Sequence, residues 1–226
     1  MVATLNKHDV KIPTALDVIS KHNDPFQVLI STILSARTRD ENTMKASMNL
    51  FSKYPDAESL SNAKVSSVKQ LIKPAGFYNV KSKRIIAVSK IIKNQYAGNV
   101  PDDFEELIRL PSVGRKTANC VLVYGFGKPA IPVDTHVHRI SNRIGIVTTN
   151  TPDETEIHLS KILNKKNWLE INPLFVQFGQ NICKPISPSC NKCELNSICH
   201  YAKNNTWLFF WIPVFDVRPY IQCFWI

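Results

Sequence analysis

Four cysteines, Cys183, Cys190, Cys193 and Cys199, fall within seventeen residues in a C-x6-C-x2-C-x5-C arrangement. Four thiolates can enclose a tetrahedral zinc or a cubic iron–sulfur cluster, and spacing alone does not separate the two. Paired zinc modules usually repeat the short spacing on both sides, whereas the other gaps here are six and five residues, so two symmetric knuckles cannot form. The segment is rich in Pro, Ser, Asn and Lys, which makes a metal centre the natural core for it. A second group lies upstream, in Leu110-Pro111-Ser112-Val113-Gly114-Arg115-Lys116-Thr117-Ala118. This reads as a tight turn between two helices, with backbone N–H groups at the start of the second helix able to hold a phosphate. Lys116 sits just inside that helix start, where the positive end of the dipole should lower its pKa and favour a neutral, nucleophilic amine. Val133-Asp134-Thr135-His136-Val137-His138-Arg139 makes a third group, with Asp134 eighteen residues after Lys116. Asp134 suits a helix N-cap and equally a carboxylate facing the amine. His136 and His138 are two apart and would diverge on a helix, which assigns them to packing or phosphate contact rather than to a metal.

These groups need a frame, and the composition describes one. The chain has 226 residues, 44% of them apolar, enough for one large domain or two small ones. Its 28 Lys and Arg against 18 Asp and Glu give a net charge of +10, which points to a polyanionic partner. Between Glu58 and Asp102 there is no acid, yet Lys64, Lys69, Lys73, Lys81, Lys83, Arg84, Lys90 and Lys93 lie there, repelling one another unless a phosphate backbone crosses them. Six cysteines are too few for a disulfide scaffold, and their clustering suits a reducing compartment. No cationic, apolar leader is expected, and the apolar runs before residue 206 are too short or interrupted to cross a bilayer, so secretion and membrane insertion are disfavoured. Helical punctuation dominates. Asp24-Pro25 starts a buried helix over 25–36, Asp40 caps another reaching Tyr54, and further helices are expected over 65–72, 81–96, from Asp102-Asp103, and over 115–124, 134–145, 153–164 and 168–182. The chain is therefore expected to be all-α.

The three groups together resemble the endonuclease III family of DNA glycosylase/AP lyases, within the helix-hairpin-helix glycosylase superfamily. The resemblance spans about residues 14–203 and includes Leu34-Ser35-Ala36-Arg37-Thr38-Arg39-Asp40 and Gly76-Phe77-Tyr78-Asn79 with Lys81. It implies a bilobal fold with a six-helix barrel module over 22–130 and a second lobe of 1–21 plus 131–203, leaving 204–226 as an atypical tail. It also implies a [4Fe-4S] cluster held by Cys183, Cys190, Cys193 and Cys199, with Lys116 and Asp134 as the catalytic pair. Arg37 and Phe77 match the positions that fill the duplex gap and wedge the opposite strand. Lys81, Pro111, Ser112, Val113, Gly114, Arg115, Lys184 and Lys192 are the other expected DNA contacts. Ser112 stands where the family hairpin usually has its first glycine, so a positive φ there would be strained. Arg37 replaces the glutamine familiar from the bacterial enzymes.

The implied partner is double-stranded DNA bearing a damaged base or an abasic site, met by a cytoplasmic monomer without a membrane. The implied activity is excision of damaged, oxidised pyrimidines followed by β-elimination through a lysine Schiff base. A monofunctional mismatch glycosylase is the nearest alternative, opposed by Lys116. A non-catalytic helix-hairpin-helix DNA-binding module and a zinc-bearing binding protein are the others.

Residues 206–226 hold eight of the 21 aromatics and three of the four tryptophans. Pro213 and Pro219 would break a membrane helix there, and Asp216 and Arg218 would be buried in lipid. An arm packed on the second lobe and an appended segment without a function both fit. Because Lys116, Asp134 and the four cysteines precede it, a chain ending after Lys203 should keep glycosylase and lyase activity and be more soluble; loss of folding on truncation would make the tail part of the second lobe.

Overall fold

The computed structural model describes residues 24–206. Expectations for residues 1–21 and for the tail beyond 206 fall outside the described residues. Among the described residues the chain is helical and has no strand, and no helix is long and apolar enough to cross a membrane.

Helix α1, Pro25–Ser35, runs through the first core. Asp24 Oδ1 accepts the N–H groups of Phe26 at 2.9 Å and Gln27 at 3.2 Å, while Pro25 takes a position where a missing N–H costs nothing. Val28, Leu29, Ile30 and Leu34 are fully buried, so truncating Leu29 to Ala would cost about 2–5 kcal/mol. Around α1 lie α2 (Asp40–Phe51), α5 (Tyr78–Gln95) and α7 (Arg115–Cys120), which continues as a π turn over Val121–Gly125. Two short helices, α3 (Ala57–Ser61) and α4 (Val65–Leu71), pack on α5. Sequence periodicity misses α3 because five residues are too few to show it; a capping box between Asp56 and Ser59 starts it. Helix α6 (Phe104–Arg109) is capped by Asp103 and leads into the turn before α7.

A second core gathers Val137, Ile140, Leu159, Ile171, Phe175, Leu195 and Ala202. It is built by α8 (Thr135–Ile144), α9 (Pro152–Ile162), α10 (Trp168–Asn181) and α11 (His200–Thr206). Leu195, in the cysteine segment, is 2% exposed, so that segment contributes an apolar anchor of its own. Polar ties join the two cores. Arg115 on α7 makes a two-pronged pair with Glu156 on α9 at 3.0 and 2.7 Å. Tyr124 Oη donates to Asn172 Oδ1 at 2.9 Å, and Asn172 Nδ2 donates to Pro132 O at 2.8 Å.

The boundaries shift for local reasons. Asp40 stands in the first turn of α2 with Glu41 instead of capping it, and Arg39 holds the cap position without a side-chain bond. Two acids there still favour the positive helix end. Helix α5 starts at Tyr78, earlier than expected, with Phe77 as a left-handed cap.

Between α6 and α7 the chain turns through Leu110–Gly114. Ser112 has φ 68°, whereas Gly114 has an unremarkable φ of −98° and open space where a Cβ would stand. The strain thus falls on the serine. Ser112→Gly should raise unfolding stability by about 0.5–1 kcal/mol, and Gly114→Ala should change it little, in chemical denaturation. A destabilised Ser112→Gly would contradict this account of the turn.

Candidate active site

Lys116 and Asp134 line one cleft although they come from different cores, Lys116 in the first turn of α7 and Asp134 at the start of α8. Arg37, Asp40, His136 and Asp153 line the same cleft. Asp134 is also the N-cap of α8, its Oδ1 accepting the N–H groups of His136 and Val137, each at 2.9 Å. Capping and facing the amine are therefore compatible roles, because the two bonds fix the carboxylate in the cleft wall. The environment of Lys116 differs from the expectation. Cys120, one helical turn on, and then Asp134 and Asp40 hold the Lys116 amine above the usual lysine range, against burial. Burial in turn pushes the Cys120 thiol up, so at neutral pH Cys120 carries no charge. At neutral pH Asp134 and Asp40 are then the counter-charges to the ammonium, set against burial, which favours the neutral amine. A proton must leave Lys116 before it can act as a nucleophile.

His136 has a defined role in the wall. Its Nδ1 lies 3.1 Å from Arg139 Nη2, a group that can only donate, so Nδ1 accepts and Nε2 carries the hydrogen. Burial lowers its pKa and keeps it neutral. Gly179 makes room for it, since a Cβ at that position would overlap His136 Nδ1. His138 instead turns to Thr155 Oγ1, at 2.7 Å.

The loop bearing Arg37 lines one end of the cleft, and the loop bearing Phe77 lies beside it. Arg37 has φ 53° and Phe77 φ 57°, both left-handed, and the Arg37 guanidinium lies 5.8 Å from the Phe77 ring centroid. Both side chains are exposed, Phe77 by 61%. Gly76 permits the approach, because a Cβ there would lie 2.7 Å from Arg37 O. Lys81, expected on DNA, is instead 5% exposed, with its ammonium on Leu34 O and Ala36 O at 2.6 Å each and Thr38 Oγ1 at 2.9 Å. It cannot reach a phosphate while it serves those acceptors. Arg115 is likewise committed to Glu156 and stacks on Phe104 at 4.8 Å, and the Val113 side chain is core. Pro111, Ser112 and Gly114 are exposed at the turn, as are Lys184 and Lys192 beside the cysteines. Lys93 has a counter-charge in Glu58, at 2.7 Å. Sequence reasoning gave no role to Thr38, Gly76 or Cys120, although Thr38 and Gly76 stand in the segments that carry the family resemblance and Cys120 shares a helix face with Lys116.

Cys183, Cys190, Cys193 and Cys199 line one cavity, none of them in a disulfide. Among the described residues no three His, Cys, Asp or Glu side chains converge on a single ion position. A donor set of four thiols spread around one volume fits a polynuclear iron–sulfur cluster in kind. Arg143 closes the cavity, donating to Cys183 Sγ at 3.5 Å and to Lys184 O and Pro185 O at 2.6 and 2.7 Å, with Tyr201 under its guanidinium.

A helical hairpin that presents a lysine to a carboxylate, across a cleft between two helical cores, defines a helix-hairpin-helix DNA repair architecture. Residues 30–165 match the HhH-GPD superfamily base excision DNA repair protein family model. The chain belongs to this superfamily and, within it, to the endonuclease III family, whose members are DNA glycosylases with AP lyase activity. It is 54% identical over 183 residues to endonuclease III of Thermotoga maritima, covering 81% of this chain and 86% of that protein. A solved structure of a non-covalent endonuclease III–DNA complex superposes with a TM-score of 0.82 at 34% identity, covering 91% of this chain and 95% of that one. A trapped endonuclease III–DNA covalent intermediate gives 0.77 at 35% identity, covering 85% and 95%.

Proposed function

We propose that this chain removes damaged pyrimidines, oxidised ones foremost, from double-stranded DNA and then cuts the strand at the abasic site, with Lys116 as the nucleophile and Asp134 as its electrostatic partner. The observation that carries this is that Lys116 and Asp134 line one cleft from separate cores. A damaged base stacks and pairs poorly, so it costs less to extrude. The exposed turn at Pro111, Ser112 and Gly114 and the lysines at 184 and 192 hold the phosphate backbone, while Arg37 fills the gap and Phe77 wedges the opposite strand. Once its proton has left, the Lys116 nitrogen bonds to the sugar C1′, the bond from C1′ to the base breaks, and the base departs with a proton. Asp134 stabilises the positive charge that develops on the sugar. The substituted nitrogen loses a proton and the C1′–O4′ bond breaks, O4′ leaving as a hydroxyl and C1′ becoming a protonated imine; this iminium acidifies C2′, loss of that proton forms the C1′–C2′ enamine, and the enamine expels the phosphate from C3′, cutting the strand on the 3′ side. Hydrolysis then frees Lys116. A [4Fe-4S] cluster on Cys183, Cys190, Cys193 and Cys199, when bound, supplies structural cross-linking rather than redox chemistry, and Arg143 orients the Lys184 loop beside it.

Borohydride should trap a covalent complex with abasic-site DNA, and Lys116→Ala should abolish trapping with DNA binding kept. Asp134→Asn keeps the cap, so stability should change by no more than about 0.5 kcal/mol while base release falls by orders of magnitude. Cys120 first and then Asp134 hold the Lys116 amine up against burial. Without the Asp134 charge the amine deprotonates at lower pH, and the rising limb of the lyase pH profile on abasic DNA should move down. An upward shift, or an unfolded variant with normal specific activity, would contradict the proposed roles.

Anaerobically purified protein should be brown with about four irons and four sulfides per chain, and Cys193→Ser should first unfold residues 183–199. Colourless protein carrying one zinc would refute the cluster.

A further inference from the structure

Lys81 takes no part in the chemistry above, yet it is the least exposed Lys or Arg among the described residues. Its ammonium has three N–H donors and meets three acceptors, Leu34 O, Ala36 O and Thr38 Oγ1. Burial pushes the amine down to about 8, which leaves it charged at neutral pH. The acceptors belong to the end of α1 and the loop after it, whereas Lys81 stands in the first turn of α5, its N–H bonded to Phe77 O at 3.0 Å. Thr38 Oγ1 also accepts the Gly76 N–H at 3.1 Å, so one hydroxyl serves both loops. Those loops carry Arg37 and Phe77, each with the left-handed backbone that side chains ordinarily avoid. Such conformations persist only where the surroundings over-determine them.

We infer that Lys81 is a positioning residue for nucleotide extrusion: its ammonium clasps the loop bearing Arg37 to the helix start bearing Phe77, so that the stacked pair meets the duplex as one preformed wedge. This rests on the roles proposed above for Arg37 and Phe77. Ordering two loops before binding removes that cost from the insertion step. The benefit applies to paired DNA, where the base has to be forced out, and not to DNA in which it is already free.

Lys81→Met retains the aliphatic stem and removes all three donors. In single-turnover assays, cleavage at thymine glycol opposite adenine in a duplex should fall at least about tenfold. Cleavage at an abasic site in single-stranded DNA should stay within about twofold of wild type. Adding Lys81→Met to Arg37→Ala/Phe77→Ala should cause no further loss on the duplex, because the clasp acts through that pair. Equal losses on paired and single-stranded DNA, or additive losses in the combined variant, would overturn the inference while leaving the wedge intact. An Arg37→Ala/Phe77→Ala variant with full duplex activity would remove the wedge assignment itself, and the inference with it. If Lys81→Met does not fold, Thr38→Val takes its place, since it deletes the shared acceptor; it should show the same loss confined to paired DNA, and full duplex activity would overturn the inference.

Discussion

An amine attacks carbon only after losing its proton, and a carboxylate beside it makes that proton harder to lose. The cleft holds both groups, and Asp134, after Cys120, acts to hold the Lys116 amine up against burial. In the proposed mechanism the negative charge that penalises the resting amine also favours the cationic sugar formed as a base departs, so one carboxylate trades a slower activation for a stabilised transition state. That trade works only if amine and carboxylate keep their places, and they stand on separate cores. The Arg115–Glu156 pair and the chain from Tyr124 through Asn172 to Pro132 hold the cores together. Capping locks the carboxylate locally, since both α8 N–H bonds fall on Asp134 Oδ1.

Local chemistry made much of this legible in the chain itself. Asp24-Pro25, Asp103 and Asp134 start helices as their types demand, and the dense apolar run after Pro25 becomes a buried central helix. The concern over Ser112 was physical, and its positive φ bears it out. Endonuclease III family membership rested on the order of the motifs, which the family match and the 54% identical relative support.

Tertiary partners account for what was not legible. Lys81 lies in an acid-free run and looks like its neighbours in sequence, but helix α5 turns it inward under the α1 loop, where backbone carbonyls replace water. Arg115 resembles a phosphate ligand until Glu156, forty-one residues away, claims its guanidinium. A helix-dipole argument for Lys116 left out Cys120, one turn along the same helix, as well as Asp134 and Asp40, which arrive from elsewhere. For Lys81 and Arg115 the deciding groups are remote in sequence, which periodicity and capping rules do not see.

The central claim, that one amine at the start of α7 forms the bond to the sugar, can be tested at the level of atoms. The borohydride-reduced complex with abasic-site DNA would be digested with nuclease and trypsin, and the peptides sequenced by tandem mass spectrometry. The deoxyribose remnant should lie on Lys116, whose modification also blocks cleavage after it. A remnant on another lysine or on the chain's α-amino group, with Lys116 unmodified, would contradict it.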